Sequence, residues 1–268
     1  MSLKWNESKF VFFTLKIEKM RNPFLLLSLL FALLMAACQS EQKLEEYQLN
    51  AGYDYFPLVV GKYLTYQIDS TIYDPSASGT NKISTRIFAK EIVTDTFRDN
   101  LSQLNYKIER FERRADTLPW AIKDVWVAAL TNQQAIRTEE NIKFIKIIFP
   151  TKKGNSWDGN AFIDPNLSVQ IAEESVQMFK NWNYRTLTVD QPATINGKLY
   201  PKVMTIEQAN NENLIELRQS SEKYARGVGL VSRSMRILDT QKINQGSTAW
   251  ALKAERGFEI EQILIDNN

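Results

Sequence analysis

The chain has no histidine and a single cysteine in 268 residues. Without histidine it can build no Ser-His-Asp triad, no Cys-His pair and no histidine-ligated zinc or haem site. One cysteine cannot close an intrachain disulfide, which takes two. An excess of one charge is missing too. Lys plus Arg is 33 and Asp plus Glu is 31, a formal net charge of +2. Even that excess belongs to the N-terminus. Residues 1–37 hold five basic residues (Lys4, Lys9, Lys16, Lys19, Arg21) and two acidic ones (Glu7, Glu18). The remainder carries 28 basic and 29 acidic side chains, net −1. Nucleic-acid binding needs a concentrated basic face, and nothing here points to one. Arg113-Arg114 and Lys152-Lys153 read as solvated edges or turns.

A long apolar run is also lacking. The longest uncharged apolar stretch is Pro23 to Ala37, 15 residues, short of the roughly 20 that a spanning helix needs. Its length suits the apolar core of a secretory signal peptide, with Arg21 before it and the small residues Ala36 and Ala37 at its end. Cys38 follows. The run Leu34-Met35-Ala36-Ala37-Cys38 resembles a bacterial lipoprotein signal, with Met35 where leucine is usual. The resemblance implies cleavage before Cys38, diacylglycerol on its sulfur, and a further acyl chain such as palmitate on the new amino terminus. Each buried methylene contributes about 0.8 kcal/mol, and several chains together anchor stably. A buried helix ending in a structural cysteine is the alternative, but such a helix would show a polar face, and here only Ser28 interrupts the run. Gln39 rather than aspartate follows Cys38, which points to the outer membrane of the cell envelope. Residues 1–37 read as the signal peptide, with translation starting either at Met20, since Met20-Arg21-Asn22 already supplies the short basic start, or at Met1, in which case residues 1–19 are removed with the leader.

Residues 38–52 are polar and read as a flexible tether of about 14 residues, spanning some 20 Å root-mean-square. From residue 53 the period becomes two. Leu64-Thr65-Tyr66-Gln67-Ile68-Asp69 alternates apolar and polar residues, the pattern of a strand buried on one face. The pattern recurs at 83–97, 104–109, 125–130, 142–149, 185–189, 203–206, 214–217, 230–238 and 258–265. Asn196-Gly197 is the pair that a type I′ hairpin prefers. Val169, Ala172, Val176 and Phe179 recur at helical spacing and predict a short amphipathic helix over 167–180. The expected fold is mainly β: one antiparallel domain, 53–268, of about ten strands as a curved meander or open barrel, with one short helix.

Three segments carry a family resemblance: Tyr55-Phe56-Pro57-Leu58-Val59-Val60-Gly61-Lys62-Tyr63-Leu64-Thr65-Tyr66, which departs from the family pattern in having no tryptophan near Tyr63 or Leu64, Tyr224-Ala225-Arg226-Gly227-Val228-Gly229-Leu230-Val231, and Lys153-Gly154-Asn155-Ser156-Trp157. They are similar to segments of an uncharacterised family of lipoproteins from Bacteroidota. The resemblance implies a mostly β lipoprotein domain, and it carries over no activity and no functional residue.

Constellations that could do chemistry are few. Ser220-Ser221-Glu222-Lys223 has a Ser-x-x-Lys spacing but neither helical context nor partner motifs. Gly227-Val228-Gly229 lacks the third glycine of a phosphate loop. Asp158-Gly159-Asn160 lacks the ordered acidic series of a calcium loop and reads as a turn. No metal or cofactor is expected, and no catalytic residue is assigned. Carboxylate pairs are the remaining acid-base machinery, with Glu173, Glu174 and Asp158 as candidates. Among the tryptophans, Trp126 reads as core, and Trp120, Trp157 and Trp182 are the candidates for exposure and stacking. Trp250 carries no such signal, and packing is the default for all five. The expected function is a non-catalytic envelope lipoprotein, held to the bilayer through acylated Cys38, that binds a glycan, lipid or protein ligand. The alternative is a carboxylate-dependent, glycosidase-like hydrolase.

Overall fold

Side chains alternate between the two faces of a strand, so a sheet with one apolar face can bury it by curling on itself. The computed structural model describes residues 51–76 and 78–268. These lie in the second of two units, Gln48–Asn268. The leader, Cys38 and most of the tether lie outside the described residues.

Twelve strands form one antiparallel sheet: β1 (Tyr63–Ser76), β2 (Gly79–Arg98), β3 (Leu104–Arg113), β4 (Ala121–Leu130), β5 (Gln134–Glu139), β6 (Ile142–Ile148), β7 (Ser156–Trp157), β10 (Tyr184–Ile195), β11 (Lys198–Glu212), β12 (Glu216–Ala225), β13 (Gly229–Asp239) and β14 (Arg256–Asn267). The spatial order is β6-β5-β4-β3-β2-β1-β14-β13-β12-β11-β10-β7. Two meanders therefore run outward from a central β1–β14 pair, which joins the first and last strands from Leu64↔Asn267 to Tyr73↔Gly257. The mainly β, antiparallel expectation holds, and each expected strand falls on or overlaps an observed one.

The two ends of the sheet meet at a seam. The Ile145 N–H donates to Gly159 O at 2.8 Å, and the Trp157 indole N–H donates to Ile145 O at 2.9 Å. These bonds bring β6 against the segment after β7, and the sheet is nearly closed into a barrel. Gly159 is required there by close approach. A Cβ at this position would lie 2.4 Å from the Tyr184 ring.

The expected helix over 167–180 is not formed. A two-stranded hairpin stands there instead, β8 (Ser168–Ile171) with β9 (Glu174–Gln177). Ala172 and Glu173 make its turn, both at positive φ (49° and 66°). Val169 pairs directly with Val176. A two-residue turn brings together two residues seven apart, and a helix also places them on one face, so the apolar spacing alone does not separate the two structures. The short helix of the domain is α1 (Trp250–Lys253), a single turn too brief to show a period. Asn196 and Gly197 form the expected hairpin turn, with φ of 48° and 76°.

The segments Tyr55–Gly61, Tyr224–Val231 and Lys153–Trp157 lie at one end of the barrel and at its seam. Tyr55 and Phe56 are buried in the main core, and Phe56 packs on Tyr224 with ring centroids 6.4 Å apart. Arg226 holds Asp54 at 2.6 Å and Asp190 at 2.5 Å, and Tyr55 donates to Asp190 at 2.8 Å. Gly154 N–H donates to Thr186 O in the loop leading to β7. Their roles here are to plug the barrel end and to hold the seam.

Candidate functional site

Inward positions of a barrel are normally apolar, and a buried charge survives only if it is paired. Eight charged side chains among the described residues break the apolar pattern in one connected group inside this barrel. They come from β2 (Glu91), β3 (Arg110, Glu112), β5 (Arg137, Glu139), β6 (Lys146), β12 (Glu222) and β13 (Arg233).

They form one chain of alternating sign. Arg110 contacts Glu112 at 3.0 Å and Glu91 at 3.2 Å. Arg137 contacts Glu91 at 2.6 Å and Glu139 at 3.2 Å. The second contact is off the axis of the Arg137 Nε–H, so it is an ion pair without a hydrogen bond. Lys146 and Arg233 then bridge Glu139 to Glu222. Lys146 lies 3.4 Å and 2.9 Å from the two carboxylates, and Arg233 lies 3.2 Å and 2.8 Å from them. Tyr224 closes the chain by donating to Glu222 at 2.6 Å. The cluster holds four cations and four carboxylates. Arg110 and Arg137 also lie over the Trp126 ring, 4.6 Å and 4.8 Å from its centroid.

The electrostatics follow from this packing. Burial by itself pushes the Glu139 carboxyl up, but Arg233, Lys146 and Arg137 outweigh it and hold the group well below the usual carboxylate range. Burial likewise opposes ionisation of Glu222. Lys146 and Arg233 overcome both that and the repulsion of Glu139, and the Tyr224 hydrogen bond helps, so the carboxyl is held at about 2. Burial also disfavours charge on Arg233, but Glu139 and Glu222 more than compensate. Burial pushes the Tyr66, Tyr184 and Tyr224 hydroxyls well up.

The ionic layer is the floor of a cavity of about 500 Å³, within the range of small-molecule sites. Arg110, Glu139, Lys146, Glu222 and Arg233 face this cavity. Glu91 and Arg137 face a smaller recess of about 50 Å³ on the opposite side, walled by Phe56, Pro57 and Leu58 of the plugged end. The cavity walls are mostly apolar, with Ile68, Ile87, Trp126, Phe258 and Ile260 among them. A ladder of aromatic rings runs along the seam side: Phe144 to Phe179 at 5.9 Å, Phe179 to Trp182 at 5.5 Å, and Trp182 to Tyr184 at 6.1 Å. The β8–β9 hairpin supplies Val169 and Ile171 to the same wall. It is tied to the barrel by Arg218 Nε–H donating to Gln177 O at 3.0 Å and by an Arg256–Glu174 contact at 3.5 Å.

The carboxylates proposed from sequence are not in this site. Glu173 is exposed at the hairpin turn. Glu174 faces a separate polar recess beside Asp239, Glu255 and Arg256. Asp158 accepts the Asn160 N–H and makes a local turn, as its sequence suggested. Ser220 donates to Gln208 inside the barrel, and Lys223, three positions on along the strand, falls on the opposite face. Their spacing therefore brings nothing together. Trp126 is buried in the cavity wall and Trp182 is half-buried beside it. Trp120 and Trp157 are half-buried elsewhere. Trp250 is buried in a small separate cluster with Tyr73, Leu217 and Leu238.

Glu139 and Glu222 were missed by sequence reasoning, and they are the carboxylate pair that the fold does bring together. Arg233 touches one oxygen of each at 3.2 Å and 2.8 Å, so those oxygens are at most about 6 Å apart, near the roughly 5–5.5 Å used by retaining enzymes. A general acid needs a carboxyl still protonated near neutral pH, and both of these are held ionised. Among the described residues no group of three acidic, cysteine or histidine side chains could hold a metal ion.

No protein-family model matches the chain, and no curated protein matches it. Among solved structures, a predicted exported protein with a YmcC-like fold from Bacteroides fragilis aligns with a TM-score of 0.37 and 10% identity, over 80% of this chain and 98% of its own. A predicted lipoprotein from Parabacteroides distasonis aligns at 0.38, with the same identity and coverage. Likeness at this level carries no functional argument.

Proposed function

We propose that the protein is a lipid-anchored binding protein of the cell envelope, and that its barrel holds a small ligand without transforming it. The observation that carries the reading is the cavity, with apolar walls, an aromatic ladder and a fully paired ionic floor. Such a site is shaped to bury an apolar body and to orient a polar end. The anchor rests on the Leu34–Cys38 pattern and the lone cysteine, and placement at the outer membrane rests on Gln39. The hydrolase alternative needs a protonated carboxyl, and Lys146 and Arg233 disfavour one at Glu139 and Glu222.

The test uses the full chain carrying Cys38→Ala, so that no acyl chain competes for the cavity. It is titrated with N-phenyl-1-naphthylamine, an apolar dye that fluoresces in dry sites. Saturable binding of one dye per chain is expected. Fluorescence that does not saturate, or does not rise, contradicts the reading.

A further inference from the structure

We propose that the cavity takes an uncharged amphiphile, a molecule with an apolar chain or ring body and one neutral hydrogen-bonding end, seated against Gln208 and Gln262. The inference deepens the binding reading above and rests on it.

Charge balance is the first argument. Three cations and two carboxylates of the cluster face the cavity, Glu91, Glu112 and Arg137 behind them bring the whole to four cations and four carboxylates, and each already contacts at least one partner of opposite sign. A ligand bringing its own charge would meet no free counter-ion. It would have to sit desolvated beside a neutral cluster or break an existing buried pair, and both are costly. Glu140, the other charged residue lining the cavity, is exposed at its rim and remains solvated.

The second argument is where hydrogen-bonding capacity remains open. Gln262 lies on β14 between Ile68 and Arg233 in the strand register. It faces the cavity with Phe258 and Ile260, four and two positions earlier. It is only 3% exposed, and its side-chain amide makes no hydrogen bond among the described residues. Gln208 is the extra residue of a bulge in β11, since Glu207 pairs with Ser221 and Ala209 with Ser220. Bulges re-aim a side chain out of the regular alternation. The Gln208 carbonyl oxygen accepts from Ser220 at 2.6 Å, which leaves its N–H donors open. Two primary amides with unused capacity thus open onto the cavity beside a floor whose charges are taken. A neutral hydroxyl, carbonyl or amide would pair with both without disturbing the ions. The aromatic ladder and the aliphatic wall then take the body of the molecule.

The experiment is displacement of N-phenyl-1-naphthylamine from the full Cys38→Ala chain by three ligands with one body: decanamide, decanoate and decylammonium. Decanamide is expected to displace the dye at a concentration about tenfold or more below either ion. Gln262→Leu is expected to narrow that gap roughly three- to tenfold, the size of one lost hydrogen bond. Displacement by either ion at the same or lower concentration than the amide overturns the inference while leaving the binding reading intact. A gap unchanged in Gln262→Leu overturns the assignment of the polar end. Failure of the dye to bind at all overturns the binding reading and this inference together.

Discussion

Glu139 and Glu222 lie on strands far apart in the chain, and the same two cations hold them in one buried cluster. Lys146 and Arg233 each contact both carboxylates, at distances from 2.8 to 3.4 Å. This shared bridging joins the β5–β6 side of the barrel to the β12–β13 side across the interior. It builds the cavity floor and fixes its protonation state at once.

Breaking the bridge should therefore be costly. Glu222→Gln leaves Lys146 and Arg233 short of a counter-ion in a site where the Glu222 side chain is wholly buried. Removing one partner of a buried ion pair typically costs about 3–5 kcal/mol, on the order of 10 °C in melting temperature for a domain of this size. Thermal unfolding of the variant checks this. A melting temperature within a degree or two of the parent would contradict the account.

The same carboxylates set an acid limit. Both have folded-state pKa values below their unfolded ones, so the unfolded chain binds more protons in acid, and stability falls as pH falls. The loss should begin near the unfolded carboxylate range, at about pH 4.5, and continue down towards the Glu222 value of about 2. Urea midpoints measured from pH 6 to pH 2.5 should fall throughout that window. In Glu222→Gln the slope should be shallower, because one of the groups responsible is gone.

The seam makes a separate prediction. A methyl group on residue 159 would sit 2.4 Å from the Tyr184 ring, beside the hydrogen bond that joins Gly159 to Ile145. Gly159→Ala should lower stability by about 1–3 kcal/mol, as overpacking does. Amide exchange at Ile145 should accelerate more than at Ile68, which is paired on both sides in the sheet. Equal protection at both sites would show that the seam does not depend on this close approach.

For the anchor, Cys38→Ala should abolish both the acyl mass on residue 38 and cleavage before it, read by mass spectrometry of the protein from expressing cells. A variant still cleaved before residue 38, or still carrying the acyl mass, would contradict the anchor.

Much of the fold was legible in the sequence because most strands alternate apolar and polar residues. In β1, Tyr66 and Ile68 face inward as their pattern implied. The site was illegible for the same reason. Along β5 the buried positions are Ala135 and Arg137, with Glu139 next in phase, so two of its three inward residues are charged and no apolar period exists to be seen. In β12 the buried positions include Arg218, Ser220 and Glu222, and beyond the expected strand at 214–217 its sequence reads as strand or loop alike. A strand that carries a buried ionic cluster looks like surface until the partners on the other strands are known. Those partners are set by the closure of the barrel, which no local pattern encodes. The β8–β9 hairpin was missed differently, through a spacing common to a helix and a two-residue turn.

The central claim is that the ligand sits inside the barrel, and filling the cavity tests it most directly. Met235 on β13 and Ile260 on β14 both line the cavity. Met235→Trp and Ile260→Trp would each place an indole where the ligand body belongs. The account predicts that N-phenyl-1-naphthylamine binding is lost, or weakened by about tenfold or more, in a variant that keeps the parent circular dichroism spectrum and a cooperative melt. Dye binding of parental strength in both folded variants would contradict it.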